Sequence, residues 1–127
     1  MEQEVSELLY PEMRQELLLH LSHLADAGYQ ARVWVAREFP KPGYYDDLDT
    51  TFEAVEDIVD LSSPDDVIGS TLRNSQEAAA VRALGAALQQ VFSQHGTTLS
   101  DAEYLALPEW SDVLDAANTA YRLLSSA

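Results

Sequence analysis

Three side chains with the potential for chemistry share one edge of the first predicted helix. Glu16, His20 and His23 are spaced four and three residues apart, so all three can approach that edge. A carboxylate and two imidazoles can bind zinc, and either histidine can act as a general base. His20, however, lies beside Leu17 and Leu21 on the apolar stripe, which is typical of a histidine at the edge of a core. We therefore expect no catalytic residue, bound metal or cofactor, with a small metal-dependent enzyme using this trio as the alternative.

The stretch between Lys41 and Arg73 carries nine acids and no basic residue. Like charges four residues apart on a helix repel, so this pattern works against its own helix. One interpretation is a solvated face that keeps the protein soluble. The other is a docking surface for a basic partner, favoured by two tyrosines next to the acids, because tyrosine is a common interface anchor. The predicted partner-binding residues are Tyr44, Tyr45, Asp46, Asp47, Asp49, Glu53, Glu56, Asp57 and Asp60.

Sequence motifs for ions and nucleotides do not fit the chain. Asp47 and Asp49 begin a spacing like that of a calcium-binding EF-hand loop, but Phe52 replaces the required glycine and Ile58 replaces the final glutamate. The isolated glycines form neither a Walker A motif nor a dinucleotide-binding motif. We expect neither calcium nor nucleotide binding.

Composition narrows the function further. The 127 residues suit a single domain, and 46% hydrophobic residues are enough to build its core. The net charge of −15, from 22 acids against 7 Lys and Arg, makes nucleic acid a poor partner. The absence of cysteine excludes disulfides and thiol chemistry. Residues 1–7 carry three glutamates and no base, and no apolar run could cross a membrane, so we expect a cytoplasmic protein.

Apolar spacing predicts helices along most of the chain. Tyr29–Phe39 could be a helix or a short strand, and we assign it as a helix. The first helix and the alanine-rich helix are expected at the centre of the fold. The predicted helical segments are Pro11 to Asp26 or Ala27 with Gly28 as the stop, Tyr29–Phe39, Leu48–Leu61, a short piece after Ser63, Asn74 to about Gln94, Ser100–Leu105, and a last helix opened by Pro108.

Two segments resemble a family of small acidic bacterial proteins with no assigned activity. They are Arg32-Val33-Trp34-Val35, and Pro42-Gly43-Tyr44-Tyr45-Asp46-Asp47-Leu48-Asp49. Glu103-Tyr104-Leu105 and the Trp110–Ala117 segment look like the C-terminal part of the same family. The resemblance supplies no catalytic residue. In size and charge the chain is also similar to immunity proteins, the acidic antidotes that cap the basic active sites of toxic nucleases.

These observations predict an all-α single domain of about five helices spanning residues 1–127. The predicted function is non-enzymatic protein binding, as an immunity or inhibitor protein that neutralises a basic toxin domain. A structural subunit that assembles with copies of itself stays open as an alternative.

Overall fold

The computed structural model describes residues 7–126 and confirms the all-α prediction. The acidic residues 1–7, on which the expectation of a cytoplasmic protein partly rests, lie almost wholly outside the described residues. The described residues form one domain around one apolar core. Its helices are α1 (Pro11–Leu24), α2 (Ala27–Tyr29) continuing as a π-helix (Gln30–Val35), α3 (Leu48–Ile58), a 3₁₀ turn (Pro64–Val67), α4 (Ser75–His95), α5 (Asp101–Leu105) and α6 (Trp110–Ser125).

Helix α1 begins at Pro11 as predicted, because a proline at the first helical position sacrifices no hydrogen bond. Leu17, Leu21 and Leu24 are completely buried. Leu19 is 54% exposed, so its side of the helix faces solvent. It ends at Leu24, earlier than predicted, because the chain turns there into α2.

The segment after α1 is helical, in a form that the sequence did not predict. The Asp26 carboxylate accepts the backbone N–H of Tyr29 and caps α2, so Gly28 lies inside this turn and is not a stop. The π-helix that follows presents Gln30, whose fully buried amide donates to two carbonyls of α1 and accepts the indole N–H of Trp110 at 3.0 Å. These bonds join α1, the π-helix and α6.

Helix α6 lies against both α4 and α1, while α1 also packs on α3. The sequence placed α1 and α4 at the centre, and α6 packs on both of them. Its buried stripe carries Trp110, Val113, Ala117 and Leu124, and the Trp110 ring meets Trp34 edge to face at 6.4 Å. Both tryptophans are core residues.

A buried ion pair fastens three helices together. The Arg14 guanidinium makes two parallel hydrogen bonds of 2.8 Å to the Glu77 carboxylate, and also donates to the carbonyls of Thr71 and Leu124. Glu77 in turn accepts the backbone N–H of Arg73. Because both charges are buried, their mutual pairing is what makes their burial tolerable.

None of the helices among residues 7–126 is long and apolar enough to span a membrane.

Candidate functional site

The outer face of α3 carries the predicted acidic surface. Its apolar face is buried through Leu48, Val55 and Ile58, and this burial holds the helix in place. Opposite that face the acids stand one to four residues apart along the sequence and reach solvent. They are Asp49, Glu53, Glu56, Asp57 and Asp60, of which only Asp60 lies outside α3, two residues after its end. Five of the nine predicted partner-binding residues therefore share one exposed face, which we call the α3 acidic face.

The α3 acidic face has no counter-ion within the described chain. Among residues 7–126, none of its carboxylates has a Lys, Arg or His nitrogen within 4.0 Å. The last turn of α3 also lacks a basic residue, although positive charge there would favour the helix dipole. Two of the acids make local bonds: Glu56 accepts the backbone N–H of Leu61, and Asp60 accepts the N–H and hydroxyl of Ser62, which lower the pKa of Asp60. The remaining oxygen of each is open.

The tyrosine-aspartate segment before α3 is divided between interior and surface. Tyr44 and Asp46 turn inward, with Asp46 only 7% exposed, whereas Tyr45 is 49% exposed and Asp47 is partly exposed. This alternation is that of an extended backbone, in which successive side chains point to opposite sides. Of the predicted partner-binding residues, Asp46 is thus unavailable to a partner, and Tyr44 is only partly available.

Asp46 is the acceptor at the centre of a buried polar network. Its carboxylate accepts the Trp34 indole N–H at 2.9 Å, the Tyr29 hydroxyl at 2.7 Å and the Thr51 hydroxyl at 2.7 Å. Since the Tyr29 proton goes to Asp46, the Tyr44 hydroxyl donates to Tyr29, at 2.6 Å. Burial, then the bonds to Tyr44 and Asp46, raise the pKa of Tyr29 well above its usual value. The network fixes the loop that leads into α3.

On the outer side of this loop, Tyr45 is held by a cation and a carboxylate. The Arg37 guanidinium lies over the Tyr45 ring, 5.3 Å from its centre, and the Tyr45 hydroxyl donates to Asp47. Asp47 also caps α3 by accepting the N–H of Thr50; burial opposes ionisation, but the bonds from Tyr45 and Thr50 outweigh it and lower the pKa of Asp47. Arg37 has a φ of 60°, in the left-handed region that non-glycine residues rarely enter, so its position costs strain.

The Glu16, His20 and His23 trio is not assembled into a metal site. Among residues 7–126, no group of three or more His, Asp or Glu side chains could hold a metal ion. His23 instead stacks on the Tyr29 ring at 3.9 Å, and its Nδ1 lies 3.7 Å from Asp46. Burial lowers the pKa of His23, although Asp46 opposes the shift. Glu16 is exposed to solvent.

Sequence reasoning missed two features of this region. The first is the inward role of Asp46, for which the buried Trp34 was a signal, because a buried indole N–H needs an acceptor. The second is an open cavity beside the α3 acidic face, between α3 and α4. This cavity could not be predicted from residue spacing, because its walls come from separate helices.

The chain belongs to the family described as "Domain of unknown function (DUF7945)", whose model matches residues 8–127. Comparison with curated proteins and comparison with solved structures each gave no match.

Proposed function

We propose that this member of the DUF7945 family is a non-enzymatic protein-binding module whose α3 acidic face, together with Tyr45 and Asp47, docks a basic protein. In its most specific form the partner is a toxin domain with a basic active site, and the chain is its immunity protein. The observation that carries the proposal is a face of five exposed carboxylates, none of which has a Lys, Arg or His nitrogen of the described residues within 4.0 Å.

The energetics of α3 support a role for these charges beyond its own folding. The pairs Asp49/Glu53 and Glu53/Asp57 each cost the helix roughly 0.2–0.5 kcal/mol by repulsion. Glu56 and Asp57 also lie in the last turn, where the helix dipole disfavours negative charge. A basic partner would turn these unfavourable terms into favourable ones, and the field of the aligned carboxylates would speed its approach.

The direct test removes charge from the face and follows partner capture from the native host. We would compare the parent with Asp49→Asn/Glu53→Gln/Asp57→Asn, using low salt for capture and a salt gradient for elution. The matched control removes three exposed charges elsewhere, through Glu16→Gln, Glu38→Gln and Asp115→Asn.

A basic protein should elute from the parent and from the control at higher salt than from the α3 variant, because exposed charges are screened over roughly 8 Å at physiological salt. For the immunity form, toxicity of the captured protein should be relieved by co-expressing the parent. Equal elution from the control and the α3 variant would refute the docking role of the face.

A further inference from the structure

An open cavity of about 310 Å³ lies between the end of α3 and the middle of α4. Phe52, Leu61, Leu88 and Phe92 form its apolar floor, and the two phenylalanine rings meet edge to face at 5.6 Å. This volume is at the lower end of the range for ligand pockets, about 300–1,000 Å³. It is large enough for one large side chain.

The floor of the cavity depends on Gly85 in α4. A Cβ at this position would lie 2.8 Å from the Cβ of Leu61 and 3.1 Å from its carbonyl oxygen. Glycine in a helix interior is unfavourable relative to alanine, because it loses more backbone conformational freedom on folding. Here it allows the turn after α3 to approach α4 closely and place Leu61 in the cavity wall.

The rim of the cavity has an uneven charge. On the α3 side stand Glu56 and Asp60, each with one carboxylate oxygen free of the local bonds described above. On the α4 side stands Arg82, whose guanidinium is already bonded to Asp65 at 2.7 Å. A ligand in the cavity therefore meets two unneutralised carboxylates and a cation that has its own partner.

We infer that this cavity, the α3–α4 groove, receives an apolar or aromatic side chain of a protein partner, flanked by lysine or arginine residues that pair with Glu56 and Asp60. The inference rests on the proposed function and names what the α3 acidic face recognises. The apolar floor accounts for the side chain, and the charge of the rim accounts for its basic neighbours. A buried aromatic anchor inside a ring of polar contacts is the usual form of an energetic hot spot.

The test uses short capped peptides and the backbone amide spectrum of the full chain. One peptide has a phenylalanine flanked on both sides by lysines; a second has alanine in place of phenylalanine, and a third has glutamates in place of the lysines. We expect the first peptide to shift the amides of Leu61, Ser62 and Gly85 saturably. The second and third should bind at least about tenfold more weakly.

Two tryptophan variants localise the binding. Ala86 is exposed and lines the groove, so Ala86→Trp should fill it and weaken the first peptide at least about tenfold. Ala83 is exposed on the same helix and does not line the groove, so Ala83→Trp is the matched control and should bind as the parent does. Neither position is buried, so both variants should keep the parent's melting temperature.

The double variant Glu56→Gln/Asp60→Asn tests the rim, and it should bind the first peptide more weakly than the parent does. When these two changes are added to Ala86→Trp and to Ala83→Trp, the ratio of the two affinities for the first peptide should stay the same. The inference is wrong if the first peptide binds Ala86→Trp as tightly as it binds the parent. It is also wrong if the parent binds the first peptide no more tightly than it binds the alanine peptide. The proposed function fails separately, when the α3 variant and its control release the native partner at the same salt concentration.

Discussion

The buried acceptor at Asp46 gives the sharpest test of the structure. Its carboxylate receives three donors, from Trp34, Tyr29 and Thr51. Asp46→Ala removes the acceptor while leaving all three donors in an interior position. Asp46→Asn removes the charge but keeps an oxygen that can face Trp34 and Tyr29, with its amide turned toward the Thr51 hydroxyl, which can accept as well as donate.

The two variants should differ in magnitude. A buried donor left without an acceptor costs about 1–3 kcal/mol. The Tyr29 and Thr51 hydroxyls can rotate toward other acceptors, but the Trp34 indole can only donate along one direction. We therefore expect Asp46→Ala to lower the free energy of unfolding by about 3–5 kcal/mol. For Asp46→Asn we expect about 1–2 kcal/mol, since hydrogen bonds to a charged group exceed neutral ones by about 1 kcal/mol.

Urea unfolding followed by tryptophan fluorescence measures both losses, because Trp34 touches the substituted side chain and Trp110 touches Trp34. Asp49→Ala is the matched control: Asp49 is exposed in the same acidic stretch, and removing it relieves repulsion with Glu53 but gives up a favourable charge in the first turn of α3, so stability should change by less than about 1 kcal/mol. Equal losses for the alanine and asparagine variants at position 46, or no loss for either, would refute the network.

Three further predictions concern the interior. Arg14→Met should lower the free energy of unfolding by about 3–5 kcal/mol by leaving the Glu77 charge buried and unpaired, and Arg14→Met/Glu77→Leu should recover much of it; a double-mutant cycle in urea measures the coupling, and additive losses would contradict it. The lowered pKa of His23 means that the unfolded chain binds a proton more readily, so stability should fall as the pH drops below about 6.5, and His23→Gln should flatten that fall between about pH 7.5 and pH 5; an identical slope in parent and variant would count against it. Gly85→Ala should cost about 1–3 kcal/mol in thermal melts, despite the better helix propensity of alanine, because its Cβ meets Leu61; an unchanged or raised melting temperature would show that the close approach is not as described.

The helices were predictable because apolar residues recur at helical spacing in α1, α3, α4 and α6. The helix beginning at Ser100 was also predicted, and there Ser100 and Glu103 form a reciprocal capping box. The ends were less predictable. Helix α3 ends at Ile58 and not at Leu61, because Val59 and Leu61 turn into the core and Glu56 captures the N–H of Leu61.

Interactions between distant parts of the chain could not be read from spacing. The π-helix is tied to Trp110, 80 residues beyond Gln30, and the Arg14–Glu77 pair spans 63 residues. The burial of Arg14 could have been inferred, because Arg14 precedes Leu17 by three residues on the buried stripe of α1. The exposure of the α3 acids followed from helical periodicity, whereas the burial of Asp46 depended on donors that only the folded chain brings to it.

The alternation along the Tyr44–Asp47 segment determines which of its positions can tolerate substitution. Tyr44 and Asp46 are bound to partners in other elements, so a change at either requires compensating changes elsewhere. On the outside, Tyr45 bonds to Asp47 and lies beneath Arg37, and asparagine or serine can replace Asp47 as a helix cap. Tyr45 and Asp47 can therefore be replaced while Tyr44 and Asp46 keep the loop in place. Substitutions at 45 and 47 should therefore destabilise the fold less than substitutions at 44 and 46.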